Sequence, residues 1–205
     1  MNTQALHQHA PDSARTDDAA GVELLRLARA SIEHGLVHER PLPVDYAALP
    51  QTLADTAATF TTLRIQGRLR GCCGSLEAVR PLAEDVAHSA FRAAFRDVRF
   101  DPVGRHELEV IRLEVSVLSP LEPLPFSGEA DLLLRLTPGV DGLVIIAEGR
   151  RATFLPTVWE MLPDPRQFLV ALKSKCGLPE KYWSERLEFQ RYRTTSYTES
   201  QIRGQ

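Results

Sequence analysis

Between Gly21 and about Val37 the apolar residues Leu24, Leu25, Ala28, Ile32 and Leu36 recur at helical spacing, which predicts an amphipathic helix. Pro41, Pro43 and Pro50 then predict an irregular connection over residues 38–57. The β-branched run Thr59–Ile65, the turn dipeptide Gln66-Gly67 and the segment Arg68–Ser75 read as a β-hairpin. In the helix expected next, Leu82, Val86, Ala90, Phe91, Ala94 and Phe95 occupy one half, and Asp85, His88, Ser89, Arg92 and Arg96 the other. Ile111, Leu113, Val115 and Val117 alternate with Arg112, Glu114 and Ser116, the period of a strand with one buried face.

Beyond Pro120, Pro123 and Pro125 the pattern predicts a short helix over Glu129–Leu136 and a strand covered on both faces over Leu143–Ala147. Ala152–Leu155 pairs back as a second hairpin strand, and Pro165–Cys176 is a helix closed by Gly177. Leu187–Tyr197 reads as one last strand, whose apolar parity shifts between Phe189 and Tyr192 as at a bulge. Hairpins outnumber any βαβ pattern, so the class is α+β with mostly antiparallel sheet flanked by helices.

Residues 1–20 lack large apolar positions and read as a disordered tail before an ordered domain over 21–205. His7 and His9 in that tail have no third ligand nearby and make at most an adventitious metal site. The chain has no run of about 20 apolar residues, which argues against membrane insertion, and its three cysteines are too few for a disulfide framework. A cytoplasmic setting is expected. Residues 165–205 carry eight Lys/Arg, with Tyr182, Trp183, Tyr192 and Tyr197 among them, a composition that nucleic acid would attract. Four glutamates interleave with those bases and the whole chain is at −3, so a solvated surface is the stronger reading.

Walker, dinucleotide-binding and paired-cysteine motifs are missing, and no cofactor is expected. The distinctive string is Leu69-Arg70-Gly71-Cys72-Cys73-Gly74. As a strand it places Leu69, Gly71 and Cys73 on one face and Arg68, Arg70, Cys72 and Gly74 on the other. Cys73 then packs in the core, while Cys72 shares its face with Arg70, a cation that favours thiolate. Two readings stay open for Cys72: a nucleophile or acceptor thiol, with His88 and His106 as candidate bases, or a structural residue. Cys176, beside Gly177, reads as the last buried position of its helix. In Asp97-Val98-Arg99-Phe100-Asp101-Pro102, Arg99 either pairs locally or holds an anion, the second only if it faces the same cleft as Arg70.

These strings, with Val115-Ser116-Val117-Leu118-Ser119-Pro120, Gly142, Arg151-Ala152-Thr153-Phe154-Leu155-Pro156 and Trp159, resemble the AMMECR domain family from about Val22 to Thr198. The chain departs from the family pattern at Cys73, where isoleucine is usual, and at Cys176, where alanine is usual. The resemblance implies two unequal lobes, the larger holding both chain ends, with the Arg-Gly-Cys motif at a cleft. It also implies association with a Memo-like protein and a radical-SAM protein in a three-part AmmeMemoRadiSam system. The expected function is a binding or adaptor component whose cleft comprises Arg70, Gly71, Cys72, Gly74 and Arg99. The alternatives are an enzyme using Cys72 with Arg70 to activate it, and a nucleic-acid-binding protein.

Overall fold

The computed structural model describes residues 13–199. Helix α1 (Ser13–His38) is followed by two single-turn 3-10 segments at 46–48 and 51–54, then by strands β1 (Ala58–Ile65) and β2 (Arg68–Gly74). Helix α2 (Leu82–Phe95) and strand β3 (Arg112–Leu118) complete the first half. The second half holds β4 (Glu122–Pro123), α3 (Glu129–Arg135), β5 (Gly142–Ala147), β6 (Arg150–Phe154), α4 (Pro165–Lys175), β7 (Glu188–Tyr192) and β8 (Thr194–Thr198). Two four-stranded antiparallel sheets result, β2-β1-β3-β8 and β4-β7-β5-β6. The fold is α+β.

The elements divide into two lobes. Helices α1 and α2 cover one face of the first sheet around Leu24, Ile32, Val86, Ala90 and Leu113. The second lobe, residues 119–193, is inserted between β3 and β8 and packs α3 and α4 against its own sheet. There the Trp159 ring stacks on Phe168 at 3.8 Å, and its indole N–H donates to the Asp141 carbonyl at 2.7 Å. Such a fully buried phenylalanine contributes about 1.5–3 kcal/mol through its apolar area. A third cluster of Ala58, Leu118, Val144 and Tyr192 joins the lobes.

Helix α1 begins at Ser13, eight residues before the expected Gly21. Ala14, Ala19 and Ala20 have high helix propensity, which the lack of large apolar residues does not reduce. The remaining tail, with His7 and His9, lies outside the described residues. The single strand expected over Leu187–Tyr197 is two strands in different sheets. At the crossing, Ser119 N–H donates to the Arg193 carbonyl at 2.9 Å and Arg193 N–H donates to the Ser119 hydroxyl at 3.0 Å. The parity shift between Phe189 and Tyr192 lies within β7, whose register with β5 is unbroken: Phe189 faces the core of the second lobe and Tyr192 the cluster that joins the lobes, so there is no bulge.

Two faces expected to be polar are covered. Asp85 and Ser89 on α2 are buried against β1, where Asp85 accepts from Thr59 N–H at 2.9 Å and Thr59 Oγ1 at 2.7 Å. The Ser89 hydroxyl meets Thr61 Oγ1 at 2.7 Å. The threonines that give β1 its strand propensity therefore also supply partners for the helix. Ser116 on β3 is buried as well, 2.8 Å from the Ser196 hydroxyl of β8.

Candidate functional site

The hairpin that carries the distinctive motif turns at Gln66 and Gly67, with φ of 50° and 78°, the left-handed pair of a type I′ turn. Beyond the turn Leu69 faces Arg64, but Gly71 faces Leu63, so Arg70 is an extra residue in a bulge. The bulge corrects the simple alternation. Leu69 moves off the face of Gly71 and Cys73 and is exposed. From Gly71 onward the expected parity holds: Gly71 lies against the Ala93 carbonyl of α2, and Cys73 packs on the helical core. A Cβ at Gly71 would overlap that carbonyl oxygen, so glycine is what lets β2 approach the helix.

Cys72 points the other way, toward the second lobe. Register places it in one cross-strand row with Thr62 of β1 and Glu114 of β3. Thr62 Oγ1 donates to the Cys72 thiol at 3.4 Å, and Cys72 N–H donates to Asp97 at 2.9 Å. Burial pushes the Cys72 thiol up from its ordinary pKa, against smaller opposing effects of the Thr62 hydrogen bond and the Arg99 charge. Burial likewise raises Glu114, with Glu160 of the second lobe adding to the shift and Arg64 opposing it. Across the groove, the Lys175 ammonium donates to the Thr153 carbonyl at 2.8 Å, and burial lowers its pKa. The Tyr192 hydroxyl is 2.8 Å from Thr153 Oγ1, and burial raises its pKa.

Arg70 does not activate the thiol. Its guanidinium makes a two-pronged bond to Glu107 at 2.7 and 2.9 Å, with only 16% of the side chain exposed. Arg99 is the cation that lowers the Cys72 pKa, with Lys175 acting on it more weakly, and the net shift still favours the neutral thiol. Neither His88 nor His106 is among the groups that shift the Cys72 thiol.

Arg70 and Arg99 do share a surface. Together with Val98, Phe100 and Asp101 they line a cavity of about 420 Å³, and the Phe100 ring receives both guanidiniums, centred 5.9 and 5.5 Å away. Asp97 accepts from Arg99 Nε at 2.9 Å and Nη2 at 2.6 Å, and Arg99 lowers the Asp97 carboxyl to about 2. Gly74 lies in a second groove of about 350 Å³ with Phe60, Arg151, Thr153 and Lys175. Sequence reasoning missed Glu107, Thr62, Glu114 and Lys175, since each reaches the motif only through register or lobe packing.

The comparisons agree with this architecture. The AMMECR1 family model matches residues 25–197, which is most of the chain. The chain belongs to the AMMECR1 family. It is 36% identical over 199 residues to a protein of Aeropyrum pernix, covering 92% of this chain and 82% of that one. A Methanothermobacter thermautotrophicus protein is 40% identical over 162 residues, covering 78% and 83%. The crystal structure of uncharacterized protein PH0010 from Pyrococcus horikoshii is similar at a TM-score of 0.81 and 30% identity, covering 86% of this chain and 89% of that one.

No helix among the described residues is long and apolar enough to cross a membrane. Among the same residues no group of three or more His, Cys, Asp or Glu is placed to hold a metal. The basic C-terminal segment is dispersed: Lys173 is buried on Glu129, Lys175 is tied to Thr153, and Arg191 meets Glu122.

Proposed function

We propose that this AMMECR1-family chain is a cytoplasmic binding component of an AmmeMemoRadiSam system. Its Arg70–Arg99 surface docks the Memo-like or the radical-SAM protein. One observation carries the reading: Phe100 sits between two guanidiniums beside Val98, whose side chain is 100% exposed. Aromatic and arginine anchors of this kind dominate protein interfaces. Glu107 and Asp97 already neutralise the two arginines, and Asp101 adds a third carboxylate, so a small anionic substrate meets no excess positive charge. The three free cysteines fit a reducing compartment.

The test is calorimetric titration of this chain against each purified partner. Phe100→Ala should weaken the complex about tenfold or more, equal to about 1.4 kcal/mol, while Cys72→Ser leaves it unchanged. Absence of a complex with both partners would refute the reading. A thiol-dependent enzyme is the second reading, favoured by the Arg99 and Lys175 charges that act with the Cys72 thiol. In that case Cys72→Ser would abolish pathway activity while partner affinity stayed intact.

A further inference from the structure

The groove of about 350 Å³ between the lobes lies where two edge strands, β2 and β6, come together. Its size falls near the lower end of the range of about 300–1,000 Å³ in which small-molecule sites lie. The first lobe contributes Phe60, Gly74, Leu76 and Glu77, and the second contributes Arg151 and Lys175. The floor is apolar. Phe60 and Leu76 pack on the cluster that joins the lobes, yet both stay only half-buried. A Cβ at Gly74 would strike the Phe60 ring and the Thr59 carbonyl, so glycine is what lets the ring lie against β2.

The rim carries charge that the fold leaves unmatched. Lys175 ends α4, and its ammonium is fixed by the Thr153 carbonyl at 2.8 Å and by the Phe154 ring, whose centre is 5.0 Å away. No carboxylate among the described residues pairs with it. Lys173, two residues earlier, shows the contrast: it is buried and meets Glu129 at 2.8 Å. An ammonium has three donors, so a positioned cation keeps two for a ligand. Arg151 reaches Glu77 and Gln190 only at 3.4 Å, beyond the usual hydrogen-bond range. Both cations are exposed and open to a ligand in the groove. Two cations against the single carboxylate of Glu77 leave the lining at +1.

We infer that this groove binds a small organic monocarboxylate with an aromatic or branched apolar body, its carboxylate on Lys175 with Arg151 as the second cation, and its body on Phe60 and Leu76. A phosphate monoester would bring a charge of about −1.5 to −2 to a lining at +1 and would meet Glu77. A cation would be repelled, and a neutral ligand would leave Lys175 unmatched. The groove is separate from the docking surface around Phe100, so either assignment stands or falls without the other.

The experiment is ligand-detected NMR on the full chain with benzoate, phenylacetate and 3-methylbutanoate, each at millimolar concentration and each beside its primary amide. Saturation transfer to at least one carboxylate, and not to its amide, is expected. Against that carboxylate Lys175→Gln should lose about tenfold or more in affinity, and Arg151→Gln a smaller but measurable part. Both side chains are exposed, and circular dichroism checks that each variant is folded; Arg151→Gln carries the test if the Lys175 variant is not. Phenyl phosphate should bind more weakly than the best carboxylate. Absence of transfer from all three carboxylates, equal binding by an amide, undiminished affinity in either folded variant, or tighter binding of phenyl phosphate overturns the inference.

Discussion

The backbone N–H of Cys72 and the carboxylate of Asp97 meet at 2.9 Å, which ties the thiol-bearing edge strand to the turn that presents Arg99. The same carboxylate also accepts from the Arg99 backbone at 3.2 Å and from its guanidinium. One side chain therefore fixes the Arg99 turn against the edge strand, while Arg70 is held separately by Glu107.

Asp97→Asn tests that arrangement. A carboxyl lowered to about 2 in the folded chain, from an ordinary 3.8, adds stability that is present above about pH 4 and lost as pH falls through 2. With Arg99 half exposed, the contribution is discounted to about 1–2 kcal/mol. Urea midpoints for parent and variant should differ at pH 7 and converge near pH 2. An equal gap at both pH values would show that the carboxylate charge is not what stabilises the turn.

The thiol prediction follows from burial. Limiting iodoacetamide at pH 7 should modify Cys72 in the folded chain more slowly than it modifies free cysteine, with the rate climbing as pH passes 9. Peptide mass spectrometry measures this directly, and rapid labelling of Cys72 at pH 7 would restore the activated-thiol mechanism.

Gly71→Ala should destabilise the chain by about 1–3 kcal/mol, because its methyl group displaces β2 from the Ala93 carbonyl. Gly177→Ala, at φ 73° after α4, should cost about 1 kcal/mol through backbone strain. Thermal melts measure both losses, and Cys72 labelling separates the causes: only the first variant should perturb it.

Burial raises Asp85 above its ordinary 3.8 while Thr59 hydrogen bonds oppose the rise. A carboxyl raised on folding contributes stability that is present below its unfolded value and lost as pH climbs through the folded one. The parent should therefore lose stability relative to Asp85→Asn between pH 4 and neutrality. Asp85→Ala should cost about 1–3 kcal/mol at either end, since the Thr59 donors lose their acceptor. Denaturant titrations across that range decide it, and parallel curves for parent and asparagine variant would refute the burial argument.

What the chain revealed in advance was local. The Gln66-Gly67 turn, the fully apolar β5 and the glycine stop after α4 each depend on a few adjacent residues. Asp85 and Ser89 look solvent-facing by helical period because nothing local announces two threonines waiting on β1. Arg70 looks like the partner of Cys72 for a similar reason. Its true partner, Glu107, is 37 residues away, and a bulge changes its direction. The parity slip near Tyr192 was visible, but which sheet each piece joins depends on Ser119, far earlier in the chain.

The insertion of residues 119–193 between β3 and β8 also fixes an order of events during translation. A ribosome synthesises the whole smaller lobe before it makes the strand that completes the larger sheet. Until Thr194–Thr198 emerges, β3 is an open edge with unpaired backbone groups, the kind of edge along which unfinished chains associate. A nascent chain halted before Thr194 would carry the full sequence of the small lobe beside an unfinished large one. Strand β8 thus acts as the zipper that closes a sheet begun before the insertion.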